Sequence, residues 1–274
     1  MKIFALACRL LTALVLAVLY APACSLGQGN GSVCGWLDVP DCWTGVFRLY
    51  PDFFAAIPTN STALELRIQN GIDYETYSDG LIILVDDARA VRGDPGPGGM
   101  PRAGLLGQAL PVSLPAGVTS PGVPIQPNAS PALIHATAYL NRTCRTQNVA
   151  LYASTCTLPA GGDKPVGCNV DGGGGLGDGG LEASGTAGDA GATGDAGATG
   201  PVATSTITFR SLFDGNIDES DAKQRLSDAD FDLFLADPRT GSPGGLGPPP
   251  PCRGHVTGSF HFYFERGRPA QAFP

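Results

Sequence analysis

The side chains best able to do chemistry in this chain are its cysteines. Cys34, Cys42, Cys144, Cys156, Cys168 and Cys252 are spread through the part that must fold. No C-x-x-C occurs among them, so zinc-ribbon geometry is not indicated. An even set of widely spaced cysteines in an exported chain reads as a disulfide framework. Nearness in sequence suggests the pairs Cys34–Cys42, Cys144–Cys156 and Cys168–Cys252. The three histidines, His135, His255 and His261, sit in no catalytic signature. There is no G-x-S-x-G elbow, no H-E-x-x-H and no G-x-x-x-x-G-K-[ST]. No catalytic residue is therefore singled out, and no cofactor is expected. The acidic run from Asp214 to Glu219 begins like a calcium loop, with oxygen ligands at alternate places. Glu219 then stands where the turn glycine belongs, and Arg225 where the bidentate glutamate belongs. An EF-hand is excluded. Asp214, Asn216 and Asp218 remain as a looser calcium candidate, against the plainer reading of a solvated turn. Asp86-Asp87 reads as a polar strand exit.

The elements that must position these residues read mostly as strands. Short runs rich in Val, Ile, Leu, Phe, Tyr and Thr alternate with Gly, Pro, Asn and Asp breaks. The expected strands are 45–50, 63–69, 80–86, 111–114, 132–140, 148–158, 204–212, 231–236 and 255–265. Leu64, Leu66 and Ile68 fall on one face, with Glu65, Arg67 and Gln69 on the other. Phe260, Phe262 and Phe264 alternate in the same way, which predicts one buried face per strand. Helical signal is sparse. Its best stretch is Asp218–Phe234, where Asp218, Ser220 or Ser227 could cap a short helix. These spacings predict an all-β chain, an antiparallel β-sandwich (Ig-like or jelly-roll-like) stapled by disulfides, with a closed barrel as the alternative.

The chain has 274 residues, with 39 glycines and 24 prolines. Only 15% of residues are charged and the net charge is −8, so a nucleic-acid partner is not expected. Glycine dominates an insert at 160–203, and from Gly185 to Gly200 it recurs every third residue with the collagen period. One proline in six triplets is too few for a stable triple helix, so a disordered insert is expected, with a trimeric stem as the alternative. A second loop, 240–252, is proline-rich. The remainder is large enough for one hydrophobic core, giving a single domain over 34–274.

Residues 1–23 read as a signal peptide. Lys2 and Arg9 charge its start, and Leu10–Leu19 form an apolar stretch too short to span a membrane. Ala21-Pro22-Ala23 fits ordinary signal-peptidase cleavage, which would give a secreted chain. Ala21-Pro22-Ala23-Cys24 also resembles a bacterial lipobox, which implies lipidation of Cys24 and a flexible tether over 24–33. Cys8 leaves with the signal.

Several strings resemble uncharacterised exported lipoproteins of myxobacteria-like, GC-rich bacteria. They are Val39-Pro40-Asp41-Cys42-Trp43, Tyr50-Pro51-Asp52-Phe53-Phe54, Leu66-Arg67-Ile68-Gln69, Ser78-Asp79-Gly80-Leu81, Cys144-Arg145-Thr146-Gln147-Asn148, Ala236-Asp237-Pro238-Arg239 and the C-terminal FHFYFERGRPAQAFP. They cover a minor part of the chain. The resemblance implies an address and no activity. The expected function is thus a non-catalytic binding or structural module on the outer membrane or cell surface. It would be tied to the membrane by its lipid and engage a protein or glycan. A secreted hydrolase with carboxylates on loops is one alternative, and a collagen-like trimeric adhesin is another.

Overall fold

The computed structural model describes residues 29–71, 78–114, 133–145, 149–159, 201–237 and 249–264. The chain is all-β among these residues, as expected. In order come β1 (Gly29–Val39), β2 (Trp43–Leu49), β3 (Phe53–Pro58), β4 (Leu64–Asn70), β5 (Asp79–Val85), the α-helix α1 (Ala88–Arg92), β6 (Ala109–Val112) and β7 (Ile134–Leu140). Then follow β8 (Ala150–Ala153), β9 (Cys156–Thr157), β10 (Val202–Ala203), β11 (Ser205–Ser211), β12 (Leu226–Ala236) and β13 (Gly254–Tyr263).

All of these strands but β9 and β10, which pair in a separate two-stranded sheet, join one mixed sheet in the order β2-β1-β13-β12-β11-β6-β7-β5-β4-β3, with β8 beside it. The pairings are antiparallel except β6 with β7, which is parallel and meets at Val112 and Ile134. β8 pairs with both β12 and β7, closing a hydrogen-bonded circuit through β12, β11, β6, β7 and β8. β13 and β3 are seven places apart in this order. In a flat sheet that is about 34 Å. Yet the rings of Phe262 on β13 and Phe54 on β3 lie 5.5 Å apart. The sheet therefore curls on itself, and its inward faces enclose the main core. Phe209, Phe213, Phe260, Phe262, Leu64 and Ile83 are all fully buried there.

The alternation read in β4 and β13 is seen. Leu64, Leu66 and Ile68 are fully buried, as are Phe260 and Phe262. The other face of β4 departs from expectation, because Gln69 is also fully buried and accepts a 2.7 Å hydrogen bond from Tyr139 Oη.

β1 corrects the expected tether, since the sheet begins at Gly29 instead of after residue 33. The inward positions of β1 include Gly29, Gly31 and Gly35 beside Val33 and Leu37. With glycine at half of the core-facing places, no apolar alternation was visible. The glycines are needed there. A Cβ on Gly35 would lie 2.0 Å from the His255 carbonyl oxygen and 2.6 Å from Val256 Cα.

The helix expected over Asp218–Phe234 is not formed. A single 3₁₀ turn, Ala222–Arg225, is capped by Asp221 and gives way to β12 at Leu226. Ala229, Phe231, Leu233 and Leu235 point inward while Asp228, Asp230 and Asp232 point outward. That period of two is a strand pattern. Among the described residues the α-helix is α1, where Asp87 Oδ1 accepts from Ala90 N at 2.9 Å and Gly93 ends the helix at φ 83°.

The disulfides also correct the expected pairing. Cys42 is bonded to Cys144 and Cys156 to Cys252, across 102 and 96 residues. Cys34 is bonded as well, to none of these four. In a sheet built from non-local neighbours, nearness in sequence does not predict nearness in space. Cys42 lies in the β1–β2 turn and Cys144 in the turn after β7. Cys24, Cys168, the signal segment 1–23 and the collagen-period residues lie outside the described residues. So do the insert as far as residue 200 and most of the proline-rich loop.

Candidate functional site

Two adjoining polar crevices run along one end of the sheet, about 580 Å³ and 320 Å³ in volume. Arg89 and Asp214 line both. One wall is α1 with Asp94, a second is the 214–224 segment, and a third is the turn Asn60–Leu64. Ala88 N donates to the Thr62 carbonyl at 2.9 Å, and Arg92 ties α1 to the 214–224 wall. Arg92 Nε donates to Asp94 at 3.0 Å, Nη1 to the Leu212 carbonyl at 2.8 Å, and Nη2 to Gln224 Oε1. Arg89, exposed on the same helix, stands at the junction of the two crevices.

The acidic segment is built from side chains that hold their own backbone. Asp214 Oδ1 accepts from Asn216 N at 2.7 Å, and Asn216 Oδ1 accepts from Asp218 N at 3.1 Å. Glu219 accepts from Asp221 N at 2.7 Å, and Asp221 from Lys223 N at 2.9 Å. Such turns fix a loop of short polar residues without a metal. Asp214 and Asn216 of the calcium candidate do line the crevice, but the oxygens just named serve the turn. Among the described residues no three His, Cys, Asp or Glu side chains gather as metal ligands. What the arrangement offers is a fixed, polar, open recess with carboxylates, amides and one exposed guanidinium. Sequence reasoning missed Arg89 and Arg92, because a helix of five residues carries no readable period.

No protein family, curated protein or solved structure matches the chain. Its function must be argued from its own residues.

Each histidine lies beside an aspartate. His135 Nδ1 is 2.8 Å from the Ser113 carbonyl and Nε2 is 3.2 Å from Asp86. His135 is buried and ties the β5 exit to the segment after β6. The other two belong to a ladder on the outer face of β11, β12 and β13. His255 Nε2 is 2.5 Å from Asp232 and its ring stacks on Phe234 at 4.0 Å. His261 Nδ1 is 3.3 Å from Asp228. Arg210 donates to both Asp228 and Asp230. Burial pushes the Asp228 carboxyl up, but hydrogen bonds from Arg210 and His261 outweigh it and hold it below the usual range. The bond to Asp228 raises Arg210 in turn.

The sign of the linkage follows from that direction. A carboxylate depressed in the folded state stabilises fully above its unfolded value of about 3.9, and the contribution is lost as pH falls through the folded value. Arg210 is half exposed, so the pairing contributes about 1 kcal/mol. Asp228→Asn is expected to lower stability by that amount at neutral pH. The gap from wild type should narrow below about pH 4. Urea melts of both proteins from neutral to acid pH check this. A gap that does not narrow below about pH 4 would contradict the ladder's role.

Proposed function

We propose that this protein is an exported cell-envelope lipoprotein, anchored through Cys24, whose disulfide-stapled β domain is a non-catalytic binding module. The observation that carries the reading is the oxidised state of its cysteines. Cys34, Cys42, Cys144, Cys156 and Cys252 are all bridged. Cytosolic thiols are held reduced, so a chain with this many bridges matures in an oxidising compartment. Among the described residues no helix is long and apolar enough to cross a membrane. The export signal and Cys24 supply an address on the outer membrane or cell surface. The two crevices around Arg89 and Asp214 are the recess this reading assigns to a partner, a protein or a glycan. Because β1 begins at Gly29, only residues 25–28 would separate a lipidated Cys24 from the sheet. Fully extended they reach about 14 Å, so the domain would be held against the membrane surface.

The reading has a chemical corollary. A cysteine alkylated as a thioether cannot also form a disulfide. If Cys8 is removed and Cys24 lipidated, Cys168 is the one cysteine left for Cys34. Growth with labelled palmitate is expected to label the wild type and not Cys24→Ser. Peptide mapping of the unreduced protein is expected to show Cys34 joined to Cys168. A Cys24–Cys34 peptide, or wild type without label, would sink the lipoprotein reading.

A secreted hydrolase is the second reading, favoured by the four carboxylates Asp94, Asp214, Glu219 and Asp221 around the crevice. Turnover of ester or glycoside substrates that Asp214→Asn abolishes would establish it over the first.

A further inference from the structure

The described segments that flank residues 160–200, and the one that follows residues 238–248, are joined to one another. Pro159 ends the described chain before residue 160, and Pro201 resumes it. There Thr157 pairs with Val202 and Cys156 with Ala203 in a two-stranded sheet separate from the main one. Leu158 N donates to the Pro201 carbonyl at 3.0 Å. The segment that follows residues 238–248 is bound to the same strand. Thr157 N donates to the Pro250 carbonyl at 2.8 Å, and Cys252 N donates to the Thr157 carbonyl at 2.8 Å. The Cys156–Cys252 bridge joins β9 to that segment covalently.

This neck has its own core. Cys156, Ala203, Ala236 and Cys252 form a cluster apart from the main one, with Leu158 and Phe234 packed against it. Its four buried members are small, and a two-stranded ribbon is marginal by itself. A unit with few large buried side chains and a covalent tie should open separately from the body it sits on. We propose that the neck is a cooperative unit of its own, kept closed chiefly by the Cys156–Cys252 bridge, and that it opens while the main sheet stays folded. Opening it parts β9 from β10 and from residues 250–252 together.

The two bridges make an internally controlled test. They span 102 and 96 residues, so removing either one relaxes the unfolded chain by a similar amount. A difference in local behaviour must then come from the folded state. Native-state hydrogen exchange is measured on the full mature protein, on Cys156→Ala/Cys252→Ala and on Cys42→Ala/Cys144→Ala. In the first variant the amides of Thr157, Leu158 and Cys252 are expected to exchange roughly a hundredfold faster than those of β4, β5 and β13, with almost no dependence on added denaturant. In the second variant the neck amides should not be selectively accelerated. Ala203→Asp places a carboxylate in the neck core with both bridges intact. It serves if the cysteine variants do not fold, and it should accelerate the same amides by roughly tenfold or more while the β4 and β5 amides keep their wild-type rates. The proposal is overturned if neck and main-sheet amides share one rate and one denaturant slope in Cys156→Ala/Cys252→Ala, or in Ala203→Asp.

Discussion

Gly35→Ala is expected to destabilise the protein by about 3 kcal/mol or more, a large part of the total for a domain that is only marginally stable. One methyl group does this because of what it meets. The Cβ would sit 2.0 Å from the His255 carbonyl oxygen and 2.6 Å from Val256 Cα. Both are backbone atoms of β13, so no rotamer change relieves the clash. β13 cannot step aside either, since β12 holds its other edge in register from Tyr263 to Gly254. β1 must move, and it takes with it Val33 and Leu37, both buried. The control lies on the opposite face of the same strand. Ser32→Ala removes a partly exposed hydroxyl and should stay within about 0.5 kcal/mol of wild type. Urea titration of the three proteins reads the difference. A Gly35→Ala midpoint equal to that of Ser32→Ala would mean that β1 and β13 do not approach as closely as the structure places them.

Removing the Cys42–Cys144 bridge should cost about 3–4 kcal/mol, in the upper half of the usual range for a disulfide. The loop it closes spans 102 residues, and the entropy withdrawn from the unfolded chain grows with loop length. The bridge also joins distant regions of the fold. Cys42 follows the first strand near one end of the sheet order, while Cys144 follows β7, beyond the parallel junction. The variant Cys42→Ser/Cys144→Ser is preferable to either single change, which would leave an unpaired thiol. Its thermal midpoint is expected to fall by several degrees, about 2–4 °C for each kcal/mol lost in a domain of this size. A midpoint unchanged from wild type would show that the unfolded chain is already compact around these turns.

How far the fold could be read from sequence depended on what faced inward. β4 and β13 carry Leu, Ile and Phe at alternate places, so their inner faces were plain. β1 has the same geometry but fills half of its inner face with glycine, so its first residues, 29–33, read as tether. β12 places Asp228, Asp230 and Asp232 at every second residue, a period of two that the capping residues before it obscured. The Asp–His–Arg ladder was hidden for a different reason. Arg210, Asp228 and His261 are brought together by strand register, and sequence does not show register. The crevice was half legible. Asp214 and Asn216 stood out as oxygen-bearing residues, whereas Arg89, Arg92 and the Asn60 turn come from elsewhere in the chain. Disulfide pairing was illegible from spacing, because both described bridges close loops of about a hundred residues.

The register of Thr157 with Val202 has a use in protein engineering. The described segments on either side of residues 160–200 run side by side at the spacing of paired strands. Closing a loop between such segments depends only weakly on its length, by about 0.6 kcal/mol for each doubling. Residues 160–200 therefore mark a natural splice port. A foreign domain with neighbouring termini, grafted between Pro159 and Pro201, would leave the β-sheet intact.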